Sequence, residues 1–138
     1  MPVFDERNRA FWEANGYVVL TDAVPQANLS ALVETIWNFL EMAPDDRDSW
    51  YRFKLFTNED LSSPISEAGM VWIYQHQALW DNRQCRRVYD AFAEILGTEK
   101  LWVSLDRANM KPPARSDRPD WGHTGMVRWD VDTSQVPA

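Results

Sequence analysis

Basic charge, cysteine, histidine and long apolar runs are all scarce in this 138-residue chain. Each scarcity removes a class of function. Lys and Arg total 14 against 21 for Asp and Glu, a net charge of −7, and no basic stretch offsets the deficit locally. That sign repels phosphate backbones and anionic headgroups, which argues against nucleic-acid and membrane partners. No run approaches the roughly 18 apolar residues that a membrane span needs. The single cysteine, Cys85, has no partner for an intramolecular disulfide, as expected in a reducing compartment. The opening Met1-Pro2-Val3-Phe4-Asp5 has neither a basic nor an apolar leader region, so a cytoplasmic location is expected. The two histidines, His76 and His123, match no zinc spacing, and neither a Ser/His/Asp elbow nor a phosphate loop occurs.

What the chain does have is a globular balance, 45% hydrophobic and 25% charged, which predicts a single domain over 1–138 with one ordinary core. Its eight Trp are spread along the whole length, as suits core and cleft lining. Asp5 to Asn15 predicts a helix stopped by Gly16, and Tyr17 to Thr21 a short strand. Leu29, Leu32, Val33, Ile36, Trp37 and Leu40 recur at helical steps and predict a second helix with one apolar stripe. Charge, Pro and Ser from Ala43 to Ser66 read as a long surface loop, and Gly69 to Trp80 has no clean period. Asp81 to Gln84 has the pattern of a capping box, opening a helix with Cys85, Val88, Phe92, Ile95 and Leu96 inward and Gly97 as its stop. Leu101 to Leu105 and Met126 to Asp132 read as strands, separated by a polar, Pro-rich connection from Lys111 to Pro119. Helices first and strands accumulating toward the end predict an α+β fold with an incomplete sheet.

Few residues offer chemistry. Alternation along the last strand puts Arg128, Asp130 and Asp132 on one face, able to orient a substrate or hold a divalent ion. The same spacing also suits an Arg–Asp ladder on a polar face. His76 reads as a hydrogen-bonded surface histidine. His123, seven residues before Asp130, would point away from it in a regular strand. Cys85 reads as an inert thiol on an apolar face. Lys111 is held at a defined place by Pro112-Pro113 and could meet a carboxylate, or stand solvated in its loop.

Phe11-Trp12 … Asn15-Gly16-Tyr17-Val18-Val19-Leu20, then Asn109-Met110-Lys111-Pro112-Pro113, Trp121 and Trp129-Asp130-Val131-Asp132, resemble the N-terminal half of phytanoyl-CoA dioxygenase family proteins, which are Fe(II)/2-oxoglutarate oxygenases. The resemblance implies the first strands of a double-stranded β-helix, a cupin-like jelly roll, incomplete in this chain. It implies Fe(II) and 2-oxoglutarate as cofactors and oxidative hydroxylation of a small organic substrate. By position, Asp130 matches the carboxylate metal ligand and Lys111 a lysine that contacts 2-oxoglutarate. Arg128 stands where the family has its first metal histidine, and a guanidinium has no lone pair to give a metal. No residue after Ala138 supplies the distal histidine or the arginine that grips 2-oxoglutarate, so an inactive, truncated oxygenase is expected. The alternatives are a non-catalytic interaction module and half of a split barrel. Either would dock a homodimer mate or a partner chain through an unpaired sheet edge.

Overall fold

The computed structural model describes residues 2–53, 63–66 and 69–121. Four α-helices organise them: α1 Glu6–Asn15, α2 Gln26–Phe39, α3 Gln77–Arg83 and α4 Arg86–Leu96. Asp5 caps α1 by accepting the Asn8 amide at 2.7 Å, and Gly16 closes it in the left-handed region. α2 starts behind Pro25, whose carbonyl accepts from Asn28 and Leu29 at 3.0 and 3.2 Å. It packs against α3, and Asn28 and Asn82 tie the two by exchanging side-chain bonds to backbone carbonyls. Among the described residues no helix is long and apolar enough to cross a membrane.

The core draws in Tyr51 and Ile65 from the stretch expected to be a surface loop. Leu40 and Met42, just past α2, meet Tyr51 on a short 3-10 turn (Ser49–Tyr51), then Ile65, Val71 and Trp121. Ile36, Trp37, Trp50, Ile73, Ala108 and Met110 pack around them. Three Trp thus serve the core as expected, whereas Trp102 stands 98% exposed. The Lys111 to Pro119 connection is pinned rather than loose. Pro112 is buried, and Arg115 and Arg118 flank the Tyr51 ring with their guanidinium carbons 4.7 and 5.8 Å from its centroid.

The predicted jelly-roll strands are corrected by the pairing. Tyr17 to Leu20 and Leu101 to Leu105 run without helix but join no ladder, and among the described residues β-pairing is confined to isolated bridges. Alternation disposes a segment to extend, but a strand exists only where a neighbour supplies the other half of its hydrogen bonds. Neither segment finds one among the described residues, whose regular structure is helical apart from the isolated bridges. The strand expected over 126–132 lies outside them. The expected capping box is corrected too. Asp81, Asn82 and Arg83 form the end of α3, and α4 opens at Arg86 with Cys85 at its cap position and no side-chain cap.

Candidate functional site

Two of the isolated bridges meet at Met70 and Val71. Val71 donates to the Ala108 carbonyl and Met110 to that of Gly69, both at 2.9 Å, with Met70 opposite Asn109 in antiparallel register. On the other side Ile65 pairs with Val71, and Trp72 donates to Pro64 at 2.9 Å. Gly69 makes the close approach possible. It sits at φ +82°, and a Cβ there would lie 2.7 Å from the Met110 carbonyl oxygen.

Alternation gives this ribbon two faces. Val71, Ile73, Ala108 and Met110 turn to the core. The other face carries Met70, Trp72 and Tyr74 from one segment and Arg107, Asn109 and Lys111 from the other. The Arg107 guanidinium lies over the Trp72 and Tyr74 rings, 4.8 and 5.7 Å from their centroids, and Asn109 Nδ2 rests 3.9 Å from the Met70 sulfur. Arg107 Nε is buried without a hydrogen-bond partner among the described residues, although Asp106 Oδ1 lies 3.7 Å away.

Lys111 is exposed, and its backbone is fixed on both sides. Met110 is held by Gly69, and the Tyr51 hydroxyl donates to the Pro113 carbonyl at 2.5 Å. Two same-face residues four positions apart on an extended segment are separated by roughly 13 Å at Cα. Both side chains are long, so an organic anion with two carboxylates can be met by a cation at each end, with Asn109 between. Trp72 and Tyr74 provide an apolar floor beneath Arg107.

The remaining sequence candidates fall elsewhere. His76 is exposed and caps α3, its Nδ1 accepting the Ala78 amide at 3.2 Å, which occupies that nitrogen. It borders an open cavity of about 650 Å³ between α2 and α3, with Glu34 and Asp81. Cys85 is half-buried at the start of α4, its thiol donating to the Ala23 carbonyl at 3.3 Å, rather than lying on an apolar helical face. His123, Arg128, Asp130 and Asp132 lie outside the described residues. Among the described residues no three His, Cys, Asp or Glu side chains converge as a metal site. The donor set named from sequence, one carboxylate beside an arginine, does not fit iron either.

Arg107, Trp72 and Tyr74 were missed in the sequence. Their only signal was the alternation of polar and apolar residues through Arg107–Lys111, beside an all-apolar run Met70–Ile73, which does not reveal that the two segments are neighbours. Compared with protein-family models, curated proteins and solved structures, the chain matches none.

Proposed function

We propose that this chain carries the oxoacid-binding portion of a phytanoyl-CoA dioxygenase-like oxygenase and does not turn over by itself. The observation that supports the reading is the placement of Lys111. It shares a face with part-exposed Arg107 on an anchored backbone, so one cation stacked in place and one on a fixed stem can meet the two carboxylates of 2-oxoglutarate. A guanidinium binds a carboxylate in a bidentate fork and an ammonium acts as a point charge, so the pair recognises both ends of the molecule differently. The substrate class implied is a small organic molecule hydroxylated oxidatively in such enzymes. No step is assigned to a metal here, because Arg128 cannot be a ligand.

Calorimetric titration of the whole chain with 2-oxoglutarate tests this. Saturable binding is expected, weakened roughly 10- to 100-fold in Lys111→Ala, as befits loss of one charge-assisted contact. Undiminished binding in Lys111→Ala would overturn the assignment, as would no binding at all by the unaltered chain. An anaerobic Fe(II) titration with 2-oxoglutarate should give no charge-transfer band. A band from the unaltered chain would show that other residues complete a metal centre. A second reading, a docking module without catalysis, is favoured by the exposed Phe92 and Leu96 on α4.

A further inference from the structure

After Gly97 ends α4, the chain runs from Lys100 to Ala108 without helix, turn or bend. From Trp102 to Leu105 its backbone N–H and C=O groups have no hydrogen-bond partner among the described residues. A bare backbone edge of this kind is a template for another strand. Beside it lies an open groove of about 520 Å³, lined by Val88, Phe92, Leu96, Leu101, Trp102 and Val103. Phe92 is 56% exposed, Leu96 60% and Trp102 98%, with Val103 and Leu105 about half exposed. These side chains expose on the order of 600 Å² of apolar surface, at the upper limit for a monomer and approaching the roughly 800 Å² per partner of a stable interface.

The sequence of the edge selects its occupant. Residues 100–106 read Lys-Leu-Trp-Val-Ser-Leu-Asp, which is self-complementary about Val103. Antiparallel pairing of two such segments sets Val103 against its twin, Leu101 against Leu105 and Trp102 against Ser104. It also sets each Lys100 opposite Asp106 of the second copy, so both ends of the pairing are closed by opposite charges. Both side chains are exposed, and although Asp106 Oδ1 accepts from the Arg107 amide at 2.7 Å, its second oxygen remains for the pairing. The two Trp102 rings become diagonal neighbours, within reach of each other across an antiparallel pair. We propose that two copies of the chain pair through residues 100–106 about a two-fold axis at Val103, burying the α4 groove. One patch then meets its own image, as a two-fold interface requires.

Sedimentation velocity of the whole chain over a range of concentrations tests this. A monomer–dimer equilibrium is expected. Lys100→Glu and Asp106→Lys should each raise the dissociation constant on the order of tenfold or more, because either change sets two like-charge pairs face to face. The double variant Lys100→Glu/Asp106→Lys should recover the original affinity. That recovery also shows that the single variants had not merely misfolded. Hydrogen exchange should protect alternate amides of 102–105, those that face the second copy, in the dimer and expose them on dilution. A chain that stays monomeric at every concentration overturns the proposal, and if its 102–105 amides are protected the edge belongs to another segment of the same chain. A dimer indifferent to the single changes, or not recovered by the double one, overturns the register.

Discussion

Tyr51 holds more of this structure than any neighbouring residue suggests from sequence. Its hydroxyl anchors Pro113, two arginines lie over its ring, and Trp121 meets it edge to face with centroids 6.3 Å apart. Arg115 is itself gripped by both oxygens of Asp117, at 2.9 and 2.7 Å, and by Asp48 at 2.9 Å. The Arg115 hydrogen bonds hold the Asp117 carboxyl below the ordinary aspartate range. Trp121 closes this cluster from below, 1% exposed, and its Nε1 is buried without a partner among the described residues. Trp121→Ala should therefore cost about 3–5 kcal/mol, the range for emptying a large aromatic from a core. Trp121→Phe should cost less than about 2 kcal/mol, since it keeps much of the ring and removes an unpaired donor. Urea unfolding of the two variants checks the difference. Equal losses would show that the indole N–H has a partner worth keeping.

At the scale of elements, legibility followed how local the cause was. α1 and the end of α4 were readable because Asp5, Gly16 and Gly97 act on groups within a turn of themselves. α2 was readable from its stripe, but the way it stops was not. Met42 donates to Trp37 and Glu41 to Asn38, a Schellman closure with Glu41 at φ +50° in the left-handed position. The usual signal is a glycine, and here a glutamate bears the strain. The ribbon at Val71 was illegible for a different reason, since its partners at 64–66 and 107–110 are fixed by register across the fold. Lys111 could be singled out from its two prolines, whereas the arginine sharing its face could not. Glu41→Gly makes the closure testable. Relief of the left-handed strain, set against the extra freedom of glycine in the unfolded chain, should raise stability by up to about 1 kcal/mol. Thermal and urea midpoints both report it, and a loss of stability would show that the Glu41 carboxylate, 3.5 Å from Arg52, outweighs the backbone strain.

Across the whole molecule, the first residues are tied to α4 by one carboxylate. Glu94 accepts from the Val3 amide, from the Phe4 amide at 3.3 Å and from Arg9 Nη2 at 2.7 Å, and Phe4 is buried beneath this clasp. The Val3 hydrogen bond is the largest influence on the carboxyl and lowers its pKa below the 4.5 of a free glutamate, with Phe4 and Arg9 acting in the same sense. A group whose pKa is lowered by folding stabilises the fold above its unfolded value. That contribution fades as the pH falls through the lowered folded value, because the folded state must then take up a proton that weakens the clasp. Acid also removes negative charge from a chain of net −7, which relieves self-repulsion down to the isoelectric point near 4.7. Below that point net positive charge builds up and destabilises the fold alongside loss of the clasp. A stability profile of the unaltered chain alone would mix the two effects. The difference between it and Glu94→Gln isolates the clasp, since most other charges titrate alike in both proteins. The urea midpoint of Glu94→Gln should lie below that of the unaltered chain at neutral pH. The gap should close on acidification through and below 4.5. No gap at neutral pH would mean that a neutral acceptor at this position holds Val3 and Phe4 as well as the carboxylate does. A gap that stays constant into acid would trace the loss to the shape of the substituted side chain, leaving the N-terminal segment fastened by packing around Phe4 rather than by charge.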